Sequence, residues 1–98
     1  MTRIERDYGE HLLGRKAAGE VDWYAYEGMT LKLADDCRLT IDWSVMLSSG
    51  EMELHECKGP YAREDSIVKL RLAARLFPFR VLLVTRDGDG WQHREIRP

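Results

Sequence analysis

Apolar residues recur along this chain first at helical spacing and then at every second position, and the changes of period mark out seven elements. Ile4, Tyr8, Leu12 and Ala17 form a rough helical stripe, which predicts a helix from about Arg3 to Ala18. Thr2-Arg3-Ile4-Glu5 supplies a capping box for its start, Gly14 weakens its middle, and Gly19 is placed to stop it. Val21 to Leu33, with Trp23, Tyr24 and Tyr26, predicts a strand bent or interrupted at Gly28. Ala34-Asp35-Asp36 is a turn, Leu39–Leu47 and Met52–Lys58 are two further strands, and Gly59-Pro60 ends the second of them. Glu64-Asp65-Ser66 opens a second helix on the acidic first turn that the helix dipole favours. Its apolar stripe is Ile67, Leu70, Ala73, Ala74 and Phe77; Lys69, Arg71 and Arg75 lie off that stripe, and Pro78 stops it. Arg80 to Thr85 is a near-continuous apolar run, expected for a strand buried on both faces. Asp87-Gly88-Asp89-Gly90 is a turn, and Trp91–Ile96 is a final short strand. The order α-β-β-β-α-β-β predicts an α/β chain, more narrowly α+β. An antiparallel meander, then a helical crossover, gives a mixed sheet flanked by helices.

One strand register follows from loop length. If Ser48-Ser49-Gly50 is a three-residue loop with Gly50 in the left-handed position, residue 47 faces 51 and residue 42 faces 56. Asp42 and Glu56 then stand side by side on one face; an even-length loop would send them to opposite faces. Glu56 and Lys58, two apart in one strand, share that face, and Cys57 points the other way into the core.

Composition narrows the class. Ninety-eight residues make a single small domain, 1–98, with one modest core. Hydrophobic content of 44% beside 33% charged residues excludes a disordered chain. No apolar run approaches a membrane span, and the first residues lack the apolar stretch of a signal peptide, so the expected setting is the cytoplasm. Cys37 and Cys57 form no CxxC unit and read as reduced thiols. A net charge of −2 is unusual for a nucleic-acid binder, but an acidic metal site adds negative charge that its metal would cancel.

Paired carboxylates beside a lysine at a strand end suit metal-assisted phosphodiester hydrolysis. Carboxylate oxygens hold a hard divalent cation, and the ammonium steadies charge developing on the phosphate. Each residue also has an ordinary explanation. Glu56 and Lys58 could be a solvated ion pair. Asp42 could be a polar strand end. Glu5 is required by the capping box, with Glu20 and Glu27 as substitutes for a site role, and Lys69 could pair with Asp65 one turn away. Other chemistries find less support. His11, His55 and His93 are widely spaced and share no zinc-ligand spacing with either cysteine, and His55 reads as a strand residue beside the site. Ser48 and Ser49 have no base at a readable spacing. The Asp87–Gly90 turn lacks the later glutamate of a calcium loop, and no phosphate-binding GxxxxGK[ST] loop is present.

Asp42, then Glu56-x-Lys58-Gly59, then a helix bearing Lys69, all after a first helix bearing Glu5, resembles the PD-(D/E)XK nuclease superfamily. Within it, the chain looks like small phage-encoded proteins and transposase-end nucleases near the Holliday junction resolvases. The likeness spans nearly the whole chain. It includes the texture of Ala18-Gly19-Glu20-Val21, of His55-Glu56-Cys57-Lys58-Gly59 and of Lys69-Leu70-Arg71-Leu72-Ala73-Ala74. Ile41 stands where such proteins often carry proline. The resemblance implies a restriction-endonuclease-like αβββαβ core. It implies Asp42, Glu56 and the Cys57 backbone carbonyl as ligands of Mg²⁺ or Mn²⁺, and Lys58 as the group orienting water or stabilising the phosphate. Glu5 would complete the metal shell, and Lys69, Arg71 and Arg75 would bind DNA phosphates.

The expected function is therefore a Mg²⁺- or Mn²⁺-dependent DNA endonuclease directed to branched DNA such as a Holliday junction. Two cuts per junction call for a homodimer, and the resemblance implies a phage protein in a bacterial host cytoplasm. The alternative is a catalytically silent module on the same fold that binds nucleic acid or a protein partner.

Overall fold

In a computed structural model, residues 1–59 and 64–98 are described, with the backbone only of residues 64 and 65. Pro60, the acidic side chains of the second helix's first turn and any Lys69–Asp65 pair lie outside the described residues. The elements run α1 (Arg3–Ala17), β1 (Val21–Ala34), β2 (Cys37–Leu47), β3 (Met52–Cys57), α2 (Glu64–Leu76), β4 (Arg80–Asp87) and β5 (Gly90–Ile96). This is the expected order, in a mixed α+β fold, with several ends moved by one or two residues.

Helix α1 is held at both ends. The Thr2 hydroxyl accepts from the Glu5 amide at 3.2 Å and Glu5 accepts from the Thr2 amide at 3.1 Å, a complete capping box. At the other end Gly19 adopts a φ of +83°, and the Gly19 and Glu20 amides bond back to the carbonyls of Lys16 and Arg15. That is a Schellman stop, for which glycine is the low-strain residue. Tyr8 and Leu12 are the buried part of its stripe; Ala17 is exposed.

The five strands lie in sequence order in one sheet, antiparallel except for β3 and β4. The parallel β3–β4 pair needs a crossover, and α2 provides it. The β2–β3 hairpin closes with a Gly50 φ of +91° and places Val45 opposite Glu53 and Trp43 opposite His55. That is the register expected from a three-residue loop.

Alternation along β3 and β4 sends side chains to two layers. Leu54, Val81 and Leu83 pack with Leu70 and Ala73 of α2. Val45, Cys57 and Val84 pack with Tyr8 and Leu12 of α1. Strand β1 is bulged where it and β2 together pass from one layer to the other: Tyr26 pairs with Trp43 and Met29 with Ile41, so Glu27 and Gly28 together oppose Asp42 alone. The extra residue moves the alternation of β1 by one position and so keeps Met29 beside Ile41. Tyr24 and Tyr26 join the α1 layer, and Met29, Leu31 and Leu33 join the α2 layer. Glu27 carries the strain of the bulge, with a φ of 48°. Among the described residues no helix is long and apolar enough to cross a membrane.

Two glycines of α1 differ in what a side chain would meet. A Cβ at Gly14 touches nothing within 4 Å, whereas one at Gly9 would lie 2.9 Å from Trp43 Cη2. Gly14→Ala is therefore expected to raise the unfolding free energy by about 0.5–1 kcal/mol. Gly9→Ala is expected to lower it by about 1 kcal/mol, because displacing a packed indole outweighs the helix gain. Urea denaturation of the two variants checks this.

Candidate active site

The β2–β3 ladder ends at Trp43 and His55. Beyond that pair, a free amide of each strand is taken by the other strand's carboxylate. The Asp42 amide donates to Glu56 Oε1 at 3.0 Å, and the Cys57 amide donates to Asp42 Oδ2 at 2.9 Å. The two carboxylates thus close the ladder reciprocally where β2 parts from β3. On its other side Asp42 faces the β1 bulge, so the sheet is opened on both flanks of this one residue. Lys58 Nζ stands 3.5 Å from Glu56 Oε2, and the Lys58 amide is fixed to the Val84 carbonyl at 2.9 Å. Asp42, Glu56 and Lys58 are brought together as the register requires.

Glu5 reaches the same neighbourhood from α1. Its Oε2 accepts from Tyr26 OH at 2.9 Å while it serves as the helix cap. Burial raises its carboxyl, but bonds from Thr2 and Tyr26 outweigh that and hold it below the ordinary range. Glu5 is therefore a fixed negative charge. The Tyr26 hydroxyl is pushed up by hydrogen bonding to Glu27, then by burial and Glu5, so Glu27 also borders the site.

Burial first, and then the adjacent Glu56 charge, push the Asp42 carboxyl up to about 7; Glu5 adds to the rise and the Cys57 amide opposes it. The site thus carries more negative charge than the protein neutralises. Cys57 is buried, and burial and then the carboxylates push its thiol far up, so it packs as an inert side chain.

No protein family, curated protein or solved structure matches this chain.

The basic residues of α2 stand apart. Lys69, Arg71 and Arg75 are exposed, and Arg71 and Arg75 line a shallow cavity of about 240 Å³ with Val68, Leu72 and Pro98. Among the described residues no hydrogen bond or ion pair joins them to Asp42, Glu56 or Glu5. Nor, among the described residues, are three or more His, Cys, Asp or Glu side chains grouped so that they could hold a metal ion as they stand.

The sequence reading missed a second polar system on the α1 side of the sheet. Arg80 Nη1 donates to Glu53 Oε2 at 2.7 Å, and His55 Nε2 bonds Glu53 Oε1 at 2.9 Å. His55 Nδ1 bonds the Tyr8 hydroxyl, which also bonds His93 Nε2 at 2.8 Å. Glu53, His55 and Tyr8 are all buried. The available signal was strand alternation, which puts Glu53 and His55 on the same face as Cys57 and so into the core. The partners Tyr8 and His93 are far away in sequence.

Asp42's raised carboxyl sets a direction for stability. Its contribution is full below about pH 4, where folded and unfolded chains are both protonated, and is lost as pH climbs to about 7. Asp42→Asn keeps an acceptor for the Cys57 amide without the charge. With divalent cations chelated it should be more stable than the parent at pH 8, by on the order of 1 kcal/mol after allowance for partial exposure, and no more stable at pH 4. Thermal unfolding at the two pH values checks the sign.

Proposed function

We propose that the chain is a divalent-metal-dependent DNA endonuclease whose active site is Asp42, Glu56, Lys58 and Glu5. The observation that carries this reading is the reciprocal Asp42–Glu56 closure at the parting of β2 and β3, with Lys58 against Glu56. The donor set fits a hard cation. Two carboxylates with surplus negative charge match Mg²⁺ or Mn²⁺, which keeps several waters and needs only one or two protein carboxylates besides substrate phosphate. Asp42, Glu56 and the Cys57 carbonyl would hold it, with Glu5 completing the negative surroundings. When bound, the ion would supply Lewis-acid polarisation of the phosphate and a more acidic water.

The protein's own groups account for the rest. Water adds to phosphorus and gives up one proton to solvent, one phosphorus–ester oxygen bond breaks, and the departing oxygen takes a proton from solvent. Lys58 keeps its ammonium beside Glu56 and offers it to the phosphate oxygens as they gain charge. Tyr26 and Thr2 hold Glu5 ionised, so it has no proton to give and stays an acceptor beside the site. Lys69, Arg71 and Arg75 would meet phosphates further along the strand, giving salt-sensitive binding. Branched DNA is the proposed substrate, and twofold cutting of a junction requires a homodimer.

One observation favours a second reading. The carboxylates already satisfy two backbone amides, which is a structural task in itself. A silent binding module would keep them for that reason alone. Cleavage of labelled four-way, flap, nicked and linear duplex DNA, with Mg²⁺, Mn²⁺ or EDTA, separates the two. The nuclease reading expects metal-dependent cutting that falls at least about 10²-fold in Lys58→Ala and in Glu56→Gln, with melting temperature little changed in Lys58→Ala. Undiminished cutting by Lys58→Ala contradicts the assignment, and no cutting of any substrate favours the binding module.

A further inference from the structure

The buried chain on the α1 side ends at a cleft of about 400 Å³ lined by His11, Arg15, Glu20, Glu53, Leu82 and His93. Its hydrogen bonds dictate which atoms carry protons. The Glu53 carboxylate only accepts, so His55 Nε2–H donates to it and His55 Nδ1 is bare. Tyr8 has one proton, which goes to that Nδ1, leaving its oxygen to accept from His93 Nε2–H. The consequence emerges at the cleft: His93 Nδ1 is left as a bare lone pair. Burial supports this assignment. It pushes His55 below the ordinary imidazole range and His93 down to about 4, and it lowers His11 as well, so all three rings are neutral near pH 7.

A neutral imidazole whose second nitrogen is tied into a chain ending on a carboxylate is what a metal-binding histidine requires. His11 lies opposite, its ring centroid 6.0 Å from that of His93. Two imidazoles on one tetrahedral ion would have their centroids about 5 Å apart, given Zn–N distances of about 2.0 Å, so a small side-chain closure suffices. Glu20 is close enough to His11 to act on its charge, and is presently held by Arg15 at 3.0 Å. The three donors are not gathered round one point in this structure, and Glu20 would have to leave Arg15 to join the imidazoles.

We infer that this cleft is a second metal site, for a divalent first-row transition ion of the zinc class, with His11 and His93 as imidazole ligands and Glu20 as carboxylate ligand. Borderline-soft imidazole donors suit Zn²⁺, Co²⁺ or Ni²⁺, whereas the Asp42–Glu56 site offers only hard oxygen. Entry of the ion exchanges Glu20 from Arg15 to the metal. Tyr8 is a positioning residue: it touches no ion and sets the His93 tautomer.

Titrating the purified chain with Zn²⁺ at pH 7 by calorimetry tests this, and does not depend on nuclease activity. With excess Mg²⁺ present to occupy the Asp42–Glu56 site, one equivalent should bind. His11→Ala and His93→Ala should each weaken binding at least tenfold, and Tyr8→Phe about tenfold. Arg15→Gln should tighten it by freeing Glu20. Each variant is melted first without metal, and His93→Gln replaces any that fails to fold. Glu56→Gln should bind as the parent does. Loss of Zn²⁺ binding in Glu56→Gln, or full binding by His93→Ala and His93→Gln, overturns the proposal, as does no binding by the parent.

Discussion

The register of β2 on β3 is the constraint from which the rest follows. It is pinned at one end by Gly50, whose left-handed conformation makes the loop three residues long, and at the other by the Asp42 and Glu56 carboxylates. A slip of one residue would turn Trp43 and Val45 out of the α1 layer and separate the two carboxylates. It would also carry Glu53 and His55 away from Tyr8. One hairpin therefore positions the core, the acidic site and the buried polar chain together.

Strand β3 is unusual in being buried along almost its whole length while bearing the ionisable side chains Glu53, His55 and Glu56. Each finds a partner by alternation. Glu53 and His55 face α1 and are joined to Arg80 and Tyr8, and Glu56 faces the other way, to the Asp42 amide and Lys58. Helix α1 touches both systems. Glu5 bonds Tyr26 and acts on the Asp42 carboxyl through its charge, and Tyr8, one turn later on the same face, joins the polar chain. In a chain of this size, burying so many polar groups is tolerable only because they are paired.

Much of this was legible beforehand, for local reasons. Capping residues, the period of apolar positions and the odd loop are read from neighbours in sequence, and they yielded the elements, the mixed sheet and the pairing of Asp42 with Glu56. Gly28 marked the bend in β1, but not that the bulge would lie across from Asp42, because that depends on the pairing of two strands. The histidines were unreadable because their meaning is tertiary. His11, His55 and His93 share no spacing, yet Tyr8 draws all three rings to within about 6 Å of its own. The outer side of α2 also differs from expectation in texture: exposed Val68 and Leu76 accompany Arg71 and Arg75, so it is less purely a phosphate-binding face than its charges suggested.

The central claim is that Asp42 and Glu56 form one centre with room in its charge balance for a hard divalent ion. Paramagnetic broadening of backbone amide signals by substoichiometric Mn²⁺ tests it most directly, since it locates the ion without requiring turnover. The account predicts broadening centred on Asp42, Glu56, Cys57 and Lys58, reaching Glu5 and reversed by excess Mg²⁺. Broadening centred elsewhere, or none at millimolar Mn²⁺, would contradict it.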